Sequence, residues 1–318
     1  MGAHAMQQEF RYIYQVYKAG SFSQAAKDLF MTQPALSIAV QKIEAGLGQQ
    51  LFDRSCHPLA LTDAGKIYIA TIGKALLLEQ EMQQQLADLQ ELRLGSLRLG
   101  GSHFLNAYIL PQALALFAER YPQIKLELSE AGSAKIVEQL SQHELDLAFS
   151  CDEAVIAAFP HEAAFTDNIL LAVNEGCAVN ENLTNEALTT QDIQKGRHLE
   201  DACPSVNLSY FNNVDFVLLT QENNLYKRSL AMLAAAGVQP VIKMQVTQLV
   251  TAYHLVEQLP AASFVSSRVV THTDTRLKFY KLAYSEAVRN FAMLWPRRDY
   301  MPLSVRTFMK LFQQIYRP

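Results

Sequence analysis

The residues best suited to chemistry lie close together in TQPALSIAVQK, Thr32 to Lys42. Gln33, Ser37, Gln41 and Lys42 follow one another at spacings of four, four and one, which sets them along the outside of a helix. A glutamine amide can pair with adenine, and a serine hydroxyl bonds base edges or phosphates. The chemistry on offer is recognition by hydrogen bonds, with no bond made or broken. On the same helix Leu36, Val40, Ile43 and Leu47 form an apolar stripe that must face a core.

The elements that would position these side chains can be read on either side. Thr32 is placed to cap the helix. Pro34 falls in its first turn, where a missing N–H costs nothing. Upstream, Phe10, Ile13 and Tyr14 share a face of a first helix ended by Ala19-Gly20, and Ser23 is expected to cap a second carrying Ala25, Ala26 and Leu29. A turn at Phe30-Met31 separates the second and third helices. Two helices joined this way form a helix-turn-helix, whose second helix enters a DNA major groove by its N-terminal end. Downstream, QQLFDRSCHPLALT reads as a β-wing anchored by Leu51 and Phe52 with Pro58 in its turn. A small helical bundle used only for packing is the alternative. Charge does not choose between them: from Met6 to Lys66 there are six Lys or Arg (11, 18, 27, 42, 54, 66) against five Asp or Glu (9, 28, 44, 53, 63).

Residues 62 to 94 read as one long helix capped by Thr62, with Ile69, Ile72, Leu76, Met82, Leu86 and Leu89 on one stripe. Its length, roughly 45 to 50 Å at 1.5 Å per residue, exceeds what a small domain covers. A second copy of the chain is the simplest partner, and packing within the chain the alternative. After Gly95, strands and helices alternate: LRLGGS, ILPQALALFAERYP, IKLELSEAG, AKIVEQLSQ, LDLAFS, ILLAV, NLYKRSLAMLAAAG, VIKMQV, QLVTAYHLV, ASFVSS, RLKFYKL and FAMLW, then a helix from Ser304 to Tyr316. The alternation predicts parallel sheets covered by helices, with a cleft at the carboxyl ends of the strands.

Composition narrows the choice of function. The chain has 318 residues, of which 18% are charged, and a formal net charge of −4. Its length suits two or three domains with sizeable cores. No apolar run is long enough to span a membrane. The start, MGAHAMQQEFRYIY, lacks the marks of a secretory signal, and Met1 to Ala5 are set aside from the fold. Cys56, Cys151, Cys177 and Cys203 are far apart and match no metal spacing, as expected of a reduced cytoplasmic protein. Catalysis is not expected. GGSHF places Phe104 where a nucleophile elbow needs glycine, and GKIYIATIGK has Tyr68 and Ala75 where a phosphate loop needs Gly and Ser/Thr. A free-standing solute-binding protein is disfavoured by the N-terminal third.

The stretch SFSQAAKDLFMTQPALSIAVQKIEAGLGQQLFDR, with LTDAG following, resembles the N-terminal signature of LysR-type transcriptional regulators. The resemblance runs from Phe10 to Gly65, continues through GSLRLG, LPQALALFAERYP and LDLAFS, and weakens after about residue 165. It implies an all-α N-terminal part joined to an α/β part. In detail these would be a winged helix-turn-helix (6–61), a linker and dimerisation helix (62–94), and a periplasmic-binding-protein-like effector domain (95–318). That domain would have one subdomain at about 95–165 with 268–318 and a second at about 166–267. The implied function is that of a bacterial regulator binding promoter DNA and answering to a small, anionic metabolite such as a carboxylate, with no cofactor and no metal. The implied partners are double-stranded promoter DNA, the chain itself as homodimer or homotetramer, and RNA polymerase, with no membrane.

Onto this sequence the resemblance carries DNA contacts at Ser23, Thr32, Gln33, Pro34, Ser37, Ile38, Gln41, Lys42, Arg54 and His57. Ile38 and His57 stand where the family often has cations, and each lost cation removes one phosphate contact. Ile38 could instead touch a thymine methyl. The ligand would lie between the subdomains, near Ser102, His103, Phe104, Ser133, Cys151, Gln245, Thr247 and Gln248. Ser133 and Thr247 are expected to cap helices, whose N-terminal amides form an anion site. The alternative is that the hydroxyls do no more than cap.

Overall fold

The computed structural model describes residues 3–55, 59–88, 95–272 and 276–316. The chain divides into two compact units, Met1–Leu86 and Ala87–Pro318.

The first unit holds α1 (Ala3–Ala19), α2 (Phe22–Asp28), α3 (Gln33–Leu47), the strands β1 (Phe52–Asp53) and β2 (Ala60–Leu61), and most of α4 (Asp63–Asp88). Gly20, with φ of 60°, ends α1 as expected, although that helix starts within the residues set aside. Ser21, not Ser23, caps α2, accepting from the Gln24 N–H. Ser23 lies exposed one residue inside the helix. Thr32 caps α3 and accepts from the Ala35 N–H, and Gly48 closes it at φ of 67°. Leu36, Val40 and Ile43 are buried against Ile13, Val16, Ala25 and Ala26. Leu47 is 45% exposed, because the last turn of α3 runs past that core. β1 pairs antiparallel with β2, with Leu51 and Phe52 buried at the base of the wing. Pro58 and His57 lie outside the described residues. Thr62 accepts from the Gly65 N–H at the start of α4. Gly65 is required there, since a Cβ would run into the Leu51 carbonyl oxygen. Along α4, Ile72 is buried and Ile69 and Leu76 pack on the same core, whereas Leu78, Met82 and Leu86 are exposed. Leu89 lies outside the described residues.

The second unit opens with β3 (Ser96–Gly101), a π turn (Leu105–Ile109), α5 (Leu110–Arg120), β4 (Lys125–Glu130), α6 (Ser133–Ser141), β5 (Leu147–Ser150), α7 (Glu153–Ala158) and β6 (His161–Asn174). There follow α8 (Thr190–Gln194), β7 (Ser205–Val206), β8 (Asp215–Leu219), α9 (Asn224–Ala235), β9 (Val241–Val246), α10 (Leu249–Gln258) and β10 (Ala261–Ser266). The last elements are β11 (Leu277–Leu282), β12 (Val288–Leu294) and α11 (Leu303–Ile315). One strand path runs β4-β3-β5-β12-β6-β10-β8-β9. β3, β4 and β5 are mutually parallel, as are β8, β9 and β10. β6 and β12 correct the all-parallel expectation. β12 pairs antiparallel with β5 and with residues 161–168 of β6, and β10 and β11 pair antiparallel with residues 169–174. A single 14-residue strand thus serves both half-sheets. β11 joins the second half-sheet, so residues 277–282 do not belong with the first, as the sequence division had them.

Candidate functional site

In the first unit the geometry follows from how α3 is rotated. Its buried residues are Leu36, Val40, Ile43 and Glu44, so Pro34, Ile38, Gln41 and Lys42 stand in solvent on the other side, Gln33 is exposed at the first turn and Ser37 is half-buried. Ile38 is 65% exposed. Glu44, assigned no structural role from sequence, is a clamp. Its carboxylate accepts from the Leu51 and Phe52 N–H groups at 2.8 and 3.3 Å and from Arg54 Nη2 at 3.2 Å, tying the wing to α3. Arg54 also donates to Ser37 Oγ at 3.3 Å and lies 4.9 Å from the centre of the Phe22 ring. It braces the wing against α2 and α3. His57 is outside the described residues.

The turn before α3 carries an unusual residue. Phe30 has φ of 54° and is 98% exposed. Its N–H bonds the Lys27 carbonyl and the Met31 N–H bonds that of Ala26, the paired bonds of a Schellman turn, whose left-handed position is normally glycine.

The second unit holds a cleft of about 470 Å³. Its walls are the carboxyl ends of parallel strands from both half-sheets: Ser102 to Leu105 after β3, Glu130 to Ser133 after β4, Phe149 to Asp152 at the end of β5, Leu219 to Leu225 after β8, and Thr247 to Leu249 after β9. This is where open α/β sheets place ligands. Ile136 of α6 and Arg289 and Phe291 of β12 complete the lining. Ser102, His103, Phe104, Ser133, Cys151, Thr247 and Gln248 therefore come together as expected. Gln245 does not. It is exposed on β9, paired in register with Leu218, and absent from the lining.

The capping expectations also need correction. The N-caps of α6 and α10 are Gly132 and Gln248, and neither makes a side-chain bond to the first-turn amides. Ser133 and Thr247 thus cap neither helix, and two helix starts without side-chain caps face the same cleft. His103 Nδ1 lies 3.1 Å from Glu130 Oε2. Asp152 accepts from the Ala154 and Val155 N–H groups and so caps α7. Cys151 donates weakly to Asn224 Oδ1, and burial pushes its thiol up, with Arg289 and Arg228 pulling the other way. Cys151, Cys177 and Cys203 are free thiols.

Sequence reasoning missed the charged floor. Arg289, 5% exposed, donates to Asp167 Oδ2 from Nη2 at 2.6 Å and from Nε at 2.9 Å. Ser266 Oγ donates to Asp167 Oδ1 at 2.5 Å. The guanidinium sits 5.1 Å from the Phe104 ring centre and 5.2 Å from that of Phe291. The available signal was a single acid in FTDNILLAV and a single base in VRNFAML, each beside an apolar run. Among the described residues, no group of three His, Cys, Asp or Glu could hold a metal, and no helix is long and apolar enough to cross a membrane.

Comparison with known proteins agrees with this architecture. Residues 7–66 match the family described as bacterial regulatory helix-turn-helix protein, lysR family, and residues 90–317 match the LysR substrate binding domain. A probable RuBisCO transcriptional regulator of Cyanidium caldarium is 40% identical over 129 residues, 41% of each chain. One from Emiliania huxleyi is 30% identical over 187 residues, 59% of this chain and 58% of that one. The matched stretch thus spans well under two thirds of the length of these relatives. Full-length CbnR in complex with its target DNA superposes with a TM-score of 0.61 at 19% identity, covering 97% of this chain and 99% of that one. A full-length OxyR variant from Pseudomonas aeruginosa gives 0.64 at 18% identity over 96% and 97%. These likenesses concern the fold. With both family matches in register with the two units, the chain belongs to the LysR family of transcriptional regulators.

Proposed function

We propose that this chain binds promoter DNA through α3 and its wing, acts as a dimer or tetramer, and changes its hold on DNA when a small metabolite with an anionic group enters the cleft. The observation that carries the DNA reading is the exposed set Gln33, Ile38, Gln41 and Lys42, with half-buried Ser37 among them, on a helix capped by Thr32 whose Leu36, Val40 and Ile43 face the core. Self-association is supported by Leu78, Met82 and Leu86, spaced by four on α4 and 64, 54 and 57% exposed. Several recognition helices in one assembly raise the effective affinity of each, which offsets the low charge of a single copy. The anionic ligand is supported by the α6 and α10 starts and by Arg289 in the lining. Work in the cytoplasm with RNA polymerase as a further partner completes the proposal.

The test is a gel shift at low ionic strength with the duplex upstream of the protein's own gene, against the full chain and a chain lacking residues 1 to 60. A shift seen only with the full chain is expected, and an unbound duplex sinks the reading. For the ligand, calorimetry with mono- and dicarboxylates compares wild type with Ser102→Ala plus Ser133→Ala. Equal affinities would remove both hydroxyls from the site.

A further inference from the structure

The outward face of α3 is unusual for a helix meant to lie against phosphates. Its buried residues Leu36, Val40, Ile43 and Glu44 fix its rotation, and at 100° per residue the position diametrically opposite their mean direction is Ile38. Ile38 is 65% exposed at the crest of the face, between Pro34 and Gln41. The fold gains little from a branched apolar side chain there: it is not among the buried residues of the surrounding core, and β-branching slightly disfavours helix. Cations do not dominate this face either. Lys42 is the one Lys or Arg of α3, and the Arg54 guanidinium is held by Glu44 and Ser37.

In the major groove the thymine 5-methyl is the apolar group that distinguishes one base pair from another. We propose that Ile38 reads a thymine methyl, so that each half-site carries thymine under the crest of α3 and part of the specificity comes from burying that methyl. The inference rests on the DNA reading above and names the base that reading leaves open. Burying one methyl against Ile38 corresponds to about a three- to five-fold change in affinity.

The test uses the full-length protein and a random duplex library. The duplex it selects is then synthesised with deoxyuridine, which lacks the methyl, at one thymine position at a time. Wild type is expected to lose about three- to five-fold at one position per half-site and to be indifferent elsewhere. Ile38→Ala, at an exposed position and with an unchanged melting curve, is expected to bind the thymine duplex as weakly as wild type binds the deoxyuridine duplex, with no further loss when both changes are combined. Wild-type indifference to every substitution on a duplex it binds well overturns the role of Ile38 and leaves the DNA reading standing. So does an Ile38→Ala variant that keeps the full deoxyuridine penalty. Failure to select any duplex overturns the DNA reading itself, and this inference with it.

Discussion

Replacing Arg289 with Met should destabilise the second unit far more than any surface change. Asp167 is fully buried, and its ordered partners are the guanidinium of Arg289 and the Ser266 hydroxyl. Methionine keeps much of the stem volume between Phe104 and Phe291 but leaves a buried carboxylate with a single hydroxyl donor. Breaking a buried pair in this way costs about 3–5 kcal/mol. Against a domain stability of about 5–15 kcal/mol, that is a large share. Changing Asp167→Leu as well removes the stranded charge, and such double replacements are often neutral or better, so the double variant should return to within about 1–2 kcal/mol of wild type. Trp295, the one tryptophan of the chain, follows β12 and packs on the core of this unit, so its fluorescence during urea unfolding reports the relevant transition. A single variant within about 1 kcal/mol of wild type would show that the pair is not desolvated as described. A double variant as unstable as the single one would show that packing, not the stranded charge, sets the loss.

Three further outcomes follow from the same geometry. Phe30→Gly relieves a left-handed residue that costs about 1–2 kcal/mol, at the expense of about 0.5–1 kcal/mol from the looser unfolded chain. With Phe30 already exposed, hydrogen-exchange protection in α2 and α3 should rise, and a fall counts against the assignment. Glu44→Ala strands the buried Leu51 and Phe52 N–H groups, at about 1–3 kcal/mol each, and should lower DNA affinity through a loosened wing. If affinity and proteolytic resistance of the wing are both unchanged, the clamp is not one. Burial pushes the Asp146 carboxyl up, but hydrogen bonds and charge from Arg98, with Arg298 beside it, outweigh this and hold it below the usual carboxylate range. Its contribution is therefore complete above about pH 4 and lost as pH falls through the depressed folded value. Asp146→Asn should flatten the acid limb of the stability curve, and an unaltered limb would refute the coupling.

The N-terminal unit was largely legible because its signals are local. Thr32 with Pro34, the glycines at 20 and 48, and the spacing of Leu36, Val40 and Ile43 each act within a turn or two of the backbone they shape. The errors there are also local. SFS offers two serines as caps, and only the extended backbone at Ser21 decides between them. Leu47 keeps the helical period but lies beyond the reach of the core. In the second unit most strands were readable, but the short β7 and β8 were missed and strand partners were not readable. DFVLL, which became β8, is a short apolar run whose periodicity distinguishes nothing, and it follows irregular turns. Its neighbours on both sides come from elements more than twenty residues away.

The same limit explains why the floor of the cleft escaped notice while its rim did not. Rim residues such as Ser102, Ser133 and Cys151 follow strands, and strand ends can be located from sequence. Asp167 and Arg289 are 122 positions apart, and their pairing depends on the antiparallel register that sets Asp167 opposite Arg289 on β6 and β12. Those are the strands the alternating pattern assigned to a parallel sheet. β6 passes from one half-sheet to the other at about residue 168, next to Asp167. The buried pair therefore fixes β12 to the crossing strand at the point where the two half-sheets meet. A ligand touching Arg289 therefore reaches, through Asp167, the strand common to both half-sheets. Relaxing that pair should accordingly alter ligand affinity and the stability of the crossing together, whereas Ser102→Ala should alter affinity alone.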